Sequence, residues 1–183
     1  MNVALKEWAG IVQALGSGRQ VLLLRKGGIV EAVRHGFELR HRDFLLFPTF
    51  EHQNVRWLKP DLIVPEVREG VLPIRYLARV TDIWPAPPLE TMRAAADSYI
   101  WNDGFLKIRY EYRPDLPLYV LVVRTYRLPT EQVIPDRPSY AGCKSWVNLT
   151  EDIDVSGASP VLGDTQYSQV RDALRIRLCA SSL

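Results

Sequence analysis

The sequence predicts one α+β domain, and three observations lead to that class. The 183 residues suffice for one domain with a sizeable core but are few for two. A hydrophobic content of 47% and a charged content of 24% are those of an ordinary globular chain. About six strand patterns lie between helix patterns at the start, middle and end of the chain, without the strand–helix alternation of a doubly wound parallel sheet.

The N-terminal elements follow from apolar spacing. Apolar residues at helical intervals predict an amphipathic helix over residues 3–15, ended by GSG at 16–18. QVLLLR at 20–25 is typical of a buried strand, and the glycines Gly27 and Gly28 stop it. We expect a basic hairpin arm to follow.

The chain is predicted to re-enter the sheet over residues 36–47. The apolar run 44–47 has no polar alternation, so we expect both of its faces to be covered. Pro48 and Thr49 are predicted to stop this strand. Thr49 is a suitable N-cap for a short helix that reaches Lys59.

The second half is predicted to hold four strands and two helices. The strands are expected at residues 74–84, 106–112, 118–128 and 144–149. The middle helix begins after the prolines at 85–88, and Asn102, Asp103 and Gly104 end it. The last helix follows Gly163 and Asp164, with a buried stripe at Tyr167, Val170, Leu174 and Leu178.

Charge and composition limit the partners. The net charge of +2 is too small for binding nucleic acid by charge alone, yet residues 1–60 carry nine basic and five acidic side chains. If the fold gathers that basic set, an anionic ligand would meet a positive field. No apolar run spans a membrane and no signal-peptide core is present, so we expect a cytoplasmic protein. The two cysteines form no metal-type pair.

The stretch HRDFLLFPTFEHQ at 41–53 is the most informative candidate site, since it holds two of the three histidines. Unpaired amides at a helix start after Thr49, beside basic side chains, would attract a phosphate. Polar side chains in the same turn could read a base edge, and a tryptophan could stack on it. The predicted ligand-binding residues are Arg25, Lys26, Arg40, His41, Arg42, Glu51, His52, Gln53 and Trp146.

Each of these residues also has a purely structural interpretation, as core, cap or surface. A metal-dependent nuclease or hydrolase is a second hypothesis, because His41, Asp43, Glu51 and His52 include transition-metal ligand types. No HxxxH or HxH spacing supports it, and no serine or cysteine arrangement indicates nucleophilic catalysis. We therefore expect no cofactor, no metal and no catalytic residue.

Several blocks together resemble one family. ALKEWAGIVQAL, GRQVLLLRKGGI, HRDFLLFPTFEHQ and GCKSWVNL with PVLGD resemble the bacterial family of domain of unknown function 1802, over almost the whole chain. Some members resemble this domain fused to a restriction-endonuclease-like domain, which implies a link to DNA restriction or defence. Residues 1–183 carry no such second domain.

A looser resemblance concerns the fold. The opening EWAGIVQAL, the Gly-Arg pair and the strand QVLLLRKG are similar to the start of ASCH and EVE domains in the PUA-like superfamily. That resemblance implies a partly open, twisted, mixed β-barrel flanked by helices, which binds RNA or modified bases. The combined prediction is a non-catalytic module that binds a nucleic acid or a modified nucleotide.

Overall fold

A computed structural model describes residues 1–26, 39–62, 64–66, 68–142 and 144–179. The hairpin arm predicted after Lys26, the first residues of the strand predicted at 36–47, and Cys143 lie outside the described residues. Within the described part of the chain, strands form one mixed sheet and helices pack beside it.

The sheet has seven strands in the described residues. They are β1 (Val3–Trp8), β2 (Leu22–Lys26), β3 (Asp43–Thr49), β4 (Val71–Pro85), β5 (Leu118–Pro135), β6 (Trp146–Asn148) and β7 (Ser159–Pro160). Their order is β2-β5-β4-β3-β1-β6, with β7 paired to β5. β1 and β3 run parallel and the other pairs run antiparallel. The predicted α+β class with an open, mixed sheet is confirmed.

Four α-helices occur in the described residues: α1 (Ala9–Gly16), α2 (Leu89–Ala94), α3 (Asp103–Glu111) and α4 (Asp164–Cys179). Short 3-10 turns lie at Val55–Trp57, Ala96–Ser98 and Pro138–Tyr140. On α4 the predicted stripe residues Tyr167, Leu174 and Leu178 are buried. This helix and the strands predicted near residues 20–25, 74–84, 118–128 and 144–149 are confirmed, with β5 extending further than predicted.

The helix predicted over residues 3–15 is wrong in its first half. Val3–Trp8 is a strand that lies between β3 and β6, and the helix starts only at Ala9. Partners about 40 and 140 residues away in the chain supply the hydrogen bonds that hold this segment extended, and such tertiary pairing overrides local propensity. A strand therefore runs directly into a helix, which positions Glu7 and Trp8 at the junction.

The second correction concerns the segment after β3. The strand continues through Pro48 to Thr49, where β3 is paired with β1 on one side but no longer with β4 on the other. No helix starts at Thr49. The chain turns at Glu51 and at His52, whose φ of 57° is left-handed, and only the 3-10 turn Val55–Trp57 follows. The expected phosphate site at a helix start is therefore wrong.

The third correction is that residues 106–112, predicted as a strand, belong mostly to α3. Asn102 was expected to end the preceding helix, yet its side-chain oxygen accepts a hydrogen bond from the Phe105 amide at 3.0 Å and so caps the start of α3. The middle helix ends earlier, at Ala94. This exchange of a strand for a helix places Arg109 beside β2.

The core lies on both faces of the sheet. Along β3, Phe44 and Leu46 point into one cluster, whereas Leu45 and Phe47 point into the other. All four side chains are buried, so the expectation that residues 44–47 are covered on both sides is confirmed. The candidate site lies at the ends of β1 and β3, which this two-sided core holds in place.

Candidate functional site

A cavity of about 640 Å³ opens where the ends of β1 and β2 meet α3 and two turns of the chain. Its walls also include residues near Thr49–His52 and near Gly142–Ser145. We call it the first cavity. Its charged lining residues are Lys6, Glu7, Arg25, Glu51, Arg109 and Lys144, and its aromatic ones are Trp8, Trp101, Phe105 and Tyr112.

Two arginines and one carboxylate lie in the wall of the first cavity. The Arg25 Nη2 donates to Glu7 Oε2 at 2.7 Å and to the Lys6 carbonyl at 3.2 Å, and the side chains of Arg25 and Glu7 are only 8% and 11% exposed. Arg109 donates weakly to the Leu24 carbonyl, at 3.4 Å. Burial and the nearby Arg25 charge lower the pKa of Arg109. Glu7 therefore neutralises only one of two adjacent guanidinium groups.

Three hydrogen-bond donors in this wall lack an acceptor among the described residues. The Nε atoms of Arg25 and Arg109 and the Nε1 of Trp101 are buried and have no hydrogen-bond partner among the described residues. Buried donors in proteins are usually satisfied, and an unmet one costs about 1 to 3 kcal/mol. Such a wall favours a ligand that brings acceptor atoms and negative charge.

Aromatic rings form the apolar side of the first cavity. Trp101 and Phe105 are stacked, with centroids 5.6 Å apart and planes 16° from parallel. Trp8 also contacts Phe105, with centroids 5.4 Å apart and planes tilted by 59°. Tyr112, which is 55% exposed, lies at the mouth. These rings offer flat, apolar surface beside the guanidinium groups.

Lys6 and Glu51 form a second ion pair on the cavity wall. The Lys6 Nζ lies 3.2 Å from Glu51 Oε2 and 3.1 Å from the Gly142 carbonyl oxygen. Burial alone would raise the pKa of Glu51, but the hydrogen bond and the charge of Lys6 outweigh it and lower that pKa. The first cavity thus carries four cations and two carboxylates on its walls, an excess of positive charge that attracts anions.

The structure brings three of the sequence-predicted site residues to this cavity, namely Arg25, Glu51 and His52. Lys26 lies elsewhere: its Nζ donates to the carbonyls of Tyr110 at 2.9 Å and Arg109 at 3.4 Å near the end of α3. Burial, together with the Arg109 charge, lowers the pKa of Lys26. The side-chain oxygen of Gln53 accepts the Gly10 amide at 3.0 Å. Lys26 and Gln53 therefore hold neighbouring elements in place.

The remaining predicted residues lie outside the lining of the first cavity. Arg40 and Arg42 are exposed. The ring of His41 meets Trp146 edge to face at 5.2 Å, and Trp146 meets Phe44 at 5.3 Å. Trp146 therefore packs against His41 and the core, although its neighbour in the chain, Ser145, lines the cavity.

The four side chains proposed as metal ligands in the second hypothesis do not converge. Asp43 pairs with Arg79 at 2.6 Å, and Glu51 pairs with Lys6. Over the residues that the structure describes, no three His, Cys, Asp or Glu side chains form a group suited to a metal ion. His41 and His52 are not brought together around the first cavity, since only His52 lines it.

Sequence reasoning missed most of the cavity wall, including Lys6, Glu7, Trp8, Trp101, Phe105, Arg109 and Tyr112. The helix predicted over residues 3–15 includes Lys6 and Glu7, and the strand predicted at 106–112 includes Arg109. The signal that could have found the α3 group is the pair Asn102 and Asp103, a cap followed by an acid in the first helical turn.

Comparisons with known proteins place the chain in a family and give distant structural neighbours. A family model described as a domain of unknown function, DUF1802, matches residues 4–173, which confirms the first resemblance. No curated protein matches the chain. Among the described helices, none combines the length and the apolar composition that crossing a bilayer requires.

Solved structures of an ASCH protein from Zymomonas mobilis are similar to this chain. The unsubstituted protein matches at 11% identity and a TM-score of 0.43, with 94% of each chain covered. Two single-substitution variants match at 13% and 11% identity with TM-scores of 0.43 and 0.45, covering 94% of this chain and 94% and 96% of theirs. At such low scores the likeness says nothing about side chains, so the function proposed below is argued from this chain's own residues.

Proposed function

This chain belongs to the DUF1802 family, and we propose that it is a non-catalytic module that binds a nucleotide or a nucleic acid in the first cavity. One observation carries the proposal: two adjacent guanidinium groups, of which only Arg25 pairs with the Glu7 carboxylate, lie beside a stack of aromatic rings. A nucleotide has the matching pair of parts, a phosphate with several acceptor oxygens and a flat base.

The phosphate is assigned to Arg25 and Arg109. Arginine suits this role because its planar fork of N–H donors matches a phosphate, and charge-assisted hydrogen bonds are about twice as strong as neutral ones. The Glu7 carboxylate orients Arg25 through the 2.7 Å bond. A phosphate would supply the second negative charge that the two arginines lack.

The base is assigned to the aromatic side of the first cavity, against Phe105 and Tyr112. Stacking of a base on an aromatic ring contributes about 1 to 3 kcal/mol and tolerates any base. Glu51 and His52, which line the same cavity, could hydrogen-bond to the base edge. The volume of about 640 Å³ lies within the range of about 300 to 1,000 Å³ that is typical of small-molecule sites.

A longer nucleic acid would extend beyond the first cavity. Arg40 and Arg42 are exposed on either side of His41, whose ring contacts Trp146, the neighbour of cavity-lining Ser145. We assign the outer phosphates of a long ligand to this basic surface. The family resemblance implies a role in DNA restriction or defence, and this role stays a prediction. Counts of phage plaques on cells with and without the gene would test it.

The proposal is tested by titrating the protein with short RNA and DNA oligonucleotides while following tryptophan fluorescence. Trp8 and Trp101 line the first cavity, so ligand binding should change their emission. The affinity should fall as salt rises, because phosphate contacts release counterions. No binding to any oligonucleotide at low salt would overturn the proposal, and so would an affinity that salt leaves unchanged.

A further inference from the structure

A second cavity, of about 410 Å³, adjoins the first. Lys6, Thr49 and Glu51 line both cavities and form the wall between them. The rest of the second cavity is built by the end of β3 and the segment after β5, with lining residues Phe47, Pro48, Phe50, Asp136, Arg137, Pro138, Tyr140 and Ala141.

The second cavity has a different chemistry from the first. Its cations are already paired, since Lys6 contacts Glu51 at 3.2 Å and Arg137 contacts Glu151 at 2.5 Å. Asp136 adds a negative charge to the lining. The excess of positive charge found in the first cavity is absent from this lining, so a phosphate would gain little here.

Among its described aromatic lining residues, Phe50 is the one whose ring the second cavity offers to a ligand. Phe47 and Tyr140 are buried and meet edge to face at 6.1 Å, and the Tyr140 hydroxyl donates to Glu151 at 3.0 Å. Phe50 is half-buried, and no ring contact of its side chain occurs among the described residues. An uncharged flat ring fits this lining.

We propose that the second cavity holds a second base, so that the ligand is a single strand of at least two nucleotides; this rests on the proposed function. One nucleotide occupies the first cavity, the adjacent base lies against Phe50, and the linking phosphodiester crosses the wall at Lys6. The Glu51 side chain is 46% exposed, so it can leave Lys6 to the phosphate. A duplex is rejected, because its bases remain stacked within the helix and cannot enter separate cavities.

The first experiment compares ligand lengths on the unsubstituted protein by calorimetry at low salt. The probes are a nucleoside monophosphate, the corresponding dinucleotide and trinucleotide, and a hairpin duplex of the same composition. The dinucleotide should bind about 5- to 150-fold more tightly than the monophosphate, which is the range of one added base stack. The third nucleotide should add less, and the duplex should bind more weakly than the dinucleotide.

A second experiment uses Phe50→Ala, with Val55→Ala as a control at a 63% exposed position that lines neither cavity. Phe50→Ala should remove most of the dinucleotide advantage and leave monophosphate affinity unchanged, while the control changes neither. Equal affinities of monophosphate and dinucleotide for the unsubstituted protein would overturn this inference and leave the proposed function standing. If Phe50→Ala weakens both ligands alike, the second cavity is not a base site. Absence of binding by every probe overturns both proposals.

Discussion

Arg109→Met should make the protein more stable and a weaker binder at the same time. Arg109 is partly buried, makes one long hydrogen bond to a carbonyl oxygen and lies near Arg25, which already pairs with Glu7. Methionine keeps the length and apolar stem of the side chain but removes the second cation. Because no carboxylate loses its partner, the substitution avoids the large penalty of breaking a buried ion pair.

The expected magnitudes follow from that geometry. Replacing buried ionic groups by apolar ones of similar volume often stabilises by about 1 to 4 kcal/mol, and the partial exposure of Arg109 points to the low end, about 1 kcal/mol. For a chain of this length that corresponds to a melting temperature about 2 to 4 °C higher. Losing one charge-assisted phosphate contact should weaken binding by about 1.5 to 3 kcal/mol, or about 10- to 150-fold in Kd.

Calorimetric melting and oligonucleotide titration at one fixed salt concentration measure both effects. Arg171→Met is the matched control, since Arg171 lies on α4, outside the lining of the first cavity, and pairs with its neighbour Asp172 at 2.9 Å. Its effect on stability should stay within about 0.5 kcal/mol, and its Kd should equal that of the unsubstituted protein. If Arg109→Met lowers the melting temperature and leaves Kd unchanged, Arg109 is a structural residue and the reasoning is refuted.

Three further predictions test the fold. Gly16→Ala should destabilise the protein by about 1 to 3 kcal/mol, because a Cβ there would lie 2.2 Å from Tyr76 Cζ. The control Gly163→Ala has open space around the added Cβ and should be neutral or slightly stabilising. Equal urea midpoints for the two variants would contradict this prediction. Gln53→Ala removes the acceptor of the Gly10 amide at the start of α1 and should cost about 1 kcal/mol, which an unchanged urea midpoint would disprove. The folded-state pKa of Glu51 lies below its ordinary value of 4.5. The ion pair with Lys6 therefore stabilises the fold above pH 4.5. This stabilisation is lost as the pH falls through the lower, folded-state pKa. The stability difference between the unsubstituted protein and Glu51→Gln should shrink over that acidic range, and a constant difference would show that the pair contributes nothing.

The sequence predicted those elements whose signal is local. Apolar spacing with the period of a strand or a helix predicts the strands at 20–25 and 74–84 and helix α4. The lack of polar residues at 44–47 predicts that both faces of that strand are buried, as they are. β1 was missed because its identity depends on pairing with β3 and β6, and Leu5, Trp8, Val12 and Leu15 also satisfy helical spacing. No local pattern distinguishes the two.

The candidate site was predicted in part for the same reason. Arg25 is predicted because it ends a clear strand. Glu51 and His52 are predicted from the helix start expected after Thr49, and they line the first cavity although that helix does not form. The sequence does not place Arg109 at the site, because the helix stop predicted at Asn102 assigns residues 106–112 to a strand. Side chains alternate along a strand, whereas on α3 they follow the helical period. Three-dimensional convergence of β1, β2 and α3 creates the charge excess, and no single segment carries it.

The most direct test is a crystal structure of the protein with a bound dinucleotide. The account predicts a phosphate oxygen within about 3 Å of a guanidinium nitrogen of Arg25 or Arg109, with one base against Phe105 or Tyr112. A dinucleotide bound elsewhere on the surface, with the first cavity empty, would contradict it.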